Sequence, residues 1–325
     1  MRHFLPHHGS RIITVLVLRP FCCGPRTVSQ SANPMMRTLP LSLCLALLAS
    51  TVQAESPYKS AGFLVFPSEV ELGAMSAVAV DAKDNIYALH RGEPAVVAFS
   101  PDGKYLRSWG QGMFKVPHGL RVDAEGNVWT TDNGNHVLRK FSPEGRLLVT
   151  LGQEGKAATG ETGFRAPDDI VFDTKENMYV ADSGNGRIVK LDANGKFVAQ
   201  WGKKGKAAGE FATAHSLAID GKDRVYVGDR GNKRVQIFDS AGKHLATWDS
   251  FGGNPFGMIV VKDQLLLTEG DIHRIYHLDA DGKVAAQWGD PQLLQLPHLI
   301  ALNSRGRLFV AEVNGKRVQM FDPVQ

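Results

Sequence analysis

The sequence predicts an all-β fold, a six-bladed β-propeller, on three observations. Six segments recur at intervals of 41 to 50 residues. Each carries short runs of alternating apolar residues separated by Asp, Asn, Gly and Lys turns, the signature of four antiparallel strands. The sixth segment lacks its fourth run, and an orphan run ahead of the first matches the missing piece. Four-stranded units at this period are propeller blades. The composition, 43% hydrophobic and 22% charged with 3 Cys in 325 residues, excludes a disordered chain, a collagen-like fibre and a disulfide scaffold.

The first 54 residues carry five Arg, no Lys and no acidic residue, whereas residues 55–325 hold 32 basic against 33 acidic residues. The formal net charge of +4 therefore resides in the leader, and nucleic-acid binding loses its support. Met35-Met36-Arg37, the apolar run from Leu39 to Ala49 and the ending Thr51-Val52-Gln53-Ala54 read as a secretory signal peptide over residues 35–54, cut after Ala54. The apolar run is too short for a spanning helix. Residues 1–34 match no targeting element and read as an upstream extension of a start at Met35 or Met36. Cys22, Cys23 and Cys44 all precede the cut. The mature chain is thus expected to be disulfide-free, periplasmic or secreted, and monomeric, with no membrane contact after cleavage.

The propeller then occupies residues 55–325. Ala61 to Phe66 is the orphan strand, expected to complete the last blade and leave no long sheet edge exposed. The six units begin near Ala74, Val116, Ala166, Thr213, Asn254 and Leu296. Within a unit a strand such as Arg139-Lys140-Phe141 leads to a turn such as Pro143-Glu144-Gly145, and most units close on a tryptophan (Trp109, Trp201, Trp248, Trp288). The sixth ends at Phe321-Asp322-Pro323.

Two columns of the repeat are expected around one mouth of the central channel. The first, at the start of the inner strand, reads Ser76, His118, Asp168, His215, Phe256, His298. The second, in the loop after the second strand, reads Arg91, Asn133, Ser183, Arg230, Gly270, Val313. Histidine occupies alternate blades, so three imidazoles converge with three-fold geometry. Three His ligands with a fourth position open suit catalytic zinc, although copper, iron or nickel would also accept them. Arg91 and Arg230 face each other across the channel and suit a carboxylate or a developing oxyanion. Asp132, Asp182, Asp229, Glu269 and Glu312 recur at one position and read as structural. His136, His244, His273 and His277 read as surface residues, and Lys203-Lys204-Gly205-Lys206 as a solvated loop.

Tyr226-Val227-Gly228-Asp229-Arg230-Gly231-Asn232-Lys233-Arg234-Val235-Gln236 resembles an NHL repeat. Further motifs are more specific: His90-Arg91-Gly92, Val116-Pro117-His118-Gly119-Leu120, Ala214-His215-Ser216-Leu217-Ala218, Asp229-Arg230 and Leu296-Pro297-His298. Together, over nearly all of residues 60–325, they resemble the peptidyl-α-hydroxyglycine α-amidating lyase family. The resemblance implies zinc on His118, His215 and His298, with Arg91 and Arg230 as catalytic residues. It also implies a substrate with a terminal carboxylate, cleaved at a C–N bond to a peptide amide and glyoxylate. Two positions depart from the pattern. The family's tyrosine base falls in a third-blade loop that here reads Ala181-Asp182-Ser183-Gly184-Asn185, which leaves the general base open. The acidic ligand of the family's structural calcium, directly after the third histidine, is here Leu299. Another zinc-dependent reaction, such as hydrolysis of a lactone or carboxylate ester, and a non-catalytic binding propeller stand as the alternatives.

Overall fold

The computed structural model describes residues 56–324; the expected signal peptide and upstream extension lie outside them. These residues form six four-stranded antiparallel sheets. The inner strands, in blade order, are Met75–Val80, Pro117–Val122, Pro167–Phe172, Ala214–Ile219, Pro255–Val261 and Pro297–Leu302. Each packs against the inner strand of the next blade, and the sixth packs against the first, so the ring is closed. The predicted propeller is therefore the observed fold.

Closure works as expected, with one difference in bounds. The completing strand is Tyr58–Phe63, paired antiparallel with Arg317–Pro323 from Tyr58 opposite Pro323 to Phe63 opposite Gln319. It lies three residues earlier than the apolar run suggested. Just beyond it, Leu64, whose N–H still donates to the Val318 carbonyl at 3.0 Å, and Phe66 fill the apolar cluster between blades six and one. Within that run burial alternates, Leu64 at 5% against Val65 at 80% exposed, so its apolar character does not mark the strand's bounds.

The core lies between blades. Val97 and Phe99 of blade one meet Phe309 and Val318 of blade six, and Tyr179 and Ile188 of blade three meet Leu217 and Phe238 of blade four. The closing tryptophans pack on the following blade: Trp109 stands 6.2 Å from Phe141 and Trp201 stands 5.8 Å from Phe238. Trp288 stacks on Tyr58 of the completing strand at 5.4 Å. Second strands are buried, Gln264 at the start of blade five's excepted, while fourth strands are half exposed, as expected where one edge of each blade faces water.

One regular irregularity places the site. In all six blades the pairing between first and second strands slips at the first-column position. The slip between Ala214 and Ser216 leaves His215 unpaired, and the slip between Pro167 and Asp169 does the same for Asp168. A bulge of this kind re-aims a side chain out of the strand's alternation. Here it brings the three histidines together, with Phe256 beside His215 and Asp168 beside His118.

Candidate functional site

The three first-column histidines meet at the axis. Ring centroids are 4.8 Å apart for His118 and His215, 4.9 Å for His118 and His298, and 5.0 Å for His215 and His298. All three are buried, at 6%, 1% and 3% exposure. Each is anchored by the next blade: Nδ1 of His118 donates to the Asp168 carbonyl at 2.8 Å, that of His215 to the Phe256 carbonyl at 2.8 Å, and that of His298 to the Ser76 carbonyl at 2.5 Å. A carbonyl only accepts, so the proton of each neutral ring sits on Nδ1 and the Nε2 lone pair faces the channel. Gly119 makes one of these contacts possible, because a Cβ there would stand 2.6 Å from the Asp168 carbonyl oxygen.

One ligand atom from each ring lies within 4.8 Å of the others. Three lone pairs aimed at one point repel, and the buried Nε2 of His215 has no hydrogen-bond partner. Burial holds His118 down to about 3 and keeps His215 and His298 well below the ordinary imidazole range, with Arg230 reinforcing all three. Neutral, pre-oriented imidazoles with carbonyl-fixed tautomers fit a divalent metal, and the unpartnered nitrogen is what such an ion would satisfy.

The arginines reach this centre from the second column. Arg91 donates from Nε to Ser76 Oγ at 3.2 Å, and Ser76 Oγ donates to the Pro117 carbonyl at 2.8 Å. Arg230 opens a single 3-10 turn, Arg230–Asn232, and its guanidinium lies 5.0 Å over the Phe256 ring. Phe256 itself stands 5.5 Å from His215 and 5.8 Å from His298. Gly270 accommodates that ring, since a Cβ there would lie 3.0 Å from it.

Asp168, in the first column of blade three, was not singled out by the sequence motifs. The residue is 4% exposed and its Oδ1 lies 3.9 Å from His118 Nε2. Asn133 Nδ2 donates to Oδ1 at 2.5 Å and Ser183 Oγ lies 2.5 Å from Oδ2. Burial pushes this carboxyl up to about 6, against the pull of Ser183, Asn133 and Arg230. Ser183 begins the equivalent 3-10 turn of blade three, so second-column residues hold a first-column one.

The recurrent acids are structural, as expected. Asp132 accepts from the backbone of Lys115 and Val116 and pairs with Arg139, and Asp182, Asp229 and Glu312 repeat this with Arg187, Arg234 and Arg317. Two expectations change and one departure stands. His136 and His273 are half-buried, and their Nδ1 atoms accept the backbone N–H of Ala166 and Leu296. Lys204 is a brace, donating to the Ser183 carbonyl at 2.6 Å. Leu299 is buried among Leu120 and Ala77, so the position where the resemblance places a calcium ligand holds no oxygen donor.

Residues 114–141 match the NHL repeat and residues 164–252 match a six-bladed β-propeller family. A search of curated proteins finds no match. Among solved structures the chain is similar to a streptogramin B lyase, with a TM-score of 0.63 and 12% identity over 82% of this chain and 98% of that one. It is similar to a gluconolactonase from Xanthomonas campestris, with a TM-score of 0.60 and 14% identity over 84% and 96%. A chain of a nidogen/laminin complex gives a TM-score of 0.59 and 17% identity over 70% and 84%. Two of these are enzymes and one is a binding complex, so at such identities the fold alone is shared.

Proposed function

We propose that this chain is an exported metal-dependent lyase that cleaves peptidyl-α-hydroxyglycine to a peptide amide and glyoxylate. The observation that carries the proposal is the anchored histidine triad, whose three Nε2 lone pairs converge. His118, His215 and His298 would hold zinc, which supplies Lewis-acid stabilisation of negative charge developing on a substrate oxygen. Arg91 and Arg230 bind and orient the substrate carboxylate from opposite sides of the mouth. Ser76 holds Arg91 and Phe256 carries Arg230, which reduces the ordering each guanidinium undergoes when the ligand arrives. The cleavage balances without water: the hydroxyl loses its proton, the C–O becomes a carbonyl, the C–N bond breaks and the nitrogen gains a proton.

The test uses the exported protein with its metal content quantified, incubated with a peptidyl-α-hydroxyglycine while glyoxylate is assayed with and without a chelator. Chelator-sensitive glyoxylate above the spontaneous rate is expected. Arg91→Ala should cut that rate on the order of 100-fold while leaving metal per chain unchanged. Bound metal without glyoxylate sinks the lyase reading and moves the site to hydrolysis of a lactone or carboxylate ester. That second reading is favoured by one observation: Ser183 stands where the resembled family carries its tyrosine.

A further inference from the structure

Buried carboxylates in this propeller are usually matched with a cation. Asp169, one residue on, receives Arg121 at 2.7 Å; Asp132 receives Arg139 at 3.0 Å and Asp182 receives Arg187 at 2.7 Å. Asp168 has no such partner: among the described residues, no lysine or arginine nitrogen lies within 4.0 Å of it. Its neighbours are neutral donors from blades two and three. Asn133 serves one oxygen, while Ser183 has a single hydrogen to divide between Asp168 Oδ2 and the Ala214 carbonyl. A carboxylate offers about four acceptor positions. Capacity to accept therefore remains, on an oxygen at the rim of the imidazole cluster.

The side chain is also held still, by both donors and by the bulge at its own position. A fixed acceptor with spare capacity, 3.9 Å from His118 Nε2, is built to receive a hydrogen from a ligand group that sits beside the triad. Resting on the reading that Arg91 and Arg230 take a carboxylate, we propose that Asp168 is the specificity residue of the site. Its carboxylate accepts the hydrogen of a hydroxyl on the carbon next to the ligand's carboxylate. The site consequently takes α-hydroxy acids and their N-linked derivatives, and rejects the same acids with the hydroxyl capped. A hydrogen bond to a charged acceptor discriminates between such pairs by a factor of roughly 10 to 100, because the capped ligand leaves the buried oxygen unserved.

The experiment is equilibrium binding of glycolate and of methoxyacetate to the metal-loaded protein, compared with Asp168→Ala. The parent should bind glycolate roughly 10 to 100 times more tightly, and the variant should lose most of that gap with metal content unchanged. The variant is the control for the metal, whose own preference for a hydroxyl over an ether would survive the substitution. A parent that binds both acids alike overturns the assignment but leaves the carboxylate reading standing. A parent that binds neither overturns both. Should Asp168→Ala lose metal or fail to fold, Asp168→Asn decides, since it keeps the shape and removes the charge: a full gap in metal-loaded Asp168→Asn overturns the proposal, and a reduced one upholds it.

Discussion

In blade one the end of the second strand is His90, where other blades place Asp132, Asp182, Asp229, Glu269 and Glu312. It performs the same task with a neutral ring: Nδ1 accepts the backbone N–H of Gly73 at 3.3 Å and of Gly92 at 3.0 Å. The proton therefore sits on Nε2, which is buried without a partner. Protonating Nδ1 would set its N–H against two others, and burial holds this imidazole down to about 4 from the ordinary 6.5. A folded-state value below the unfolded one means that the unfolded chain binds the proton first. The stability conferred by neutral His90 is complete above 6.5 and is lost as pH falls from there to about 4. The full loss is on the order of 3 kcal/mol. Asn at this position keeps an acceptor for both N–H groups and does not titrate. His90→Asn should accordingly show a smaller drop in Tm between neutral pH and about pH 4 than the parent. Equal drops in parent and variant would show that His90 does not sense this range.

At the scale of elements, blade boundaries were legible because turn residues and alternation are local properties of the chain. The bulges were not, since a slip such as the one at His215 belongs to the pairing of two strands. That the closing tryptophans lie between blades was legible too, but not that Trp109, Trp201 and Trp248 each meet the turn glycine of the next blade. Gly242, in the last turn of blade four, has φ +87°, and a Cβ there would stand 2.6 Å from the Trp201 ring. Gly145 meets Trp109 in the same way, with φ +92° and a 2.8 Å approach. These turn glycines thus serve both the left-handed backbone and the packing of neighbouring blades. Gly242→Ala should lower the unfolding free energy by roughly 1–3 kcal/mol in urea titrations. Gly221, with open space around it and no left-handed backbone, is the control and should change by under about 0.5 kcal/mol as Ala. Comparable losses at the two sites would remove the packing argument.

Across the whole molecule, the histidine triad was readable because six related units allow columns to be aligned and imidazole stands out in them. Asp168 stood in the same column but resembled the many turn aspartates. Its Ser183 partner appears only once blade three folds its second strand back on the first, and its Asn133 partner only once blades two and three meet. The triad likewise joins blades two, four and six, so an ion bound there crosslinks half of the ring. In the absence of an ion, the same residues place three acceptors together in a buried channel, which opposes closure. Metal affinity and fold stability are therefore linked: an ion at about 100 times its Kd adds about 2.7 kcal/mol to the folded state. Thermal unfolding of chelator-stripped protein should shift upward when zinc is added, and His215→Ala should abolish both that shift and the binding of one ion per chain. The substitution leaves His118 and His298 anchored to the Asp168 and Ser76 carbonyls; it removes the third ligand together with that ring's own bond to the Phe256 carbonyl. A zinc-induced shift that persists in His215→Ala would place the stabilising ion somewhere other than the channel.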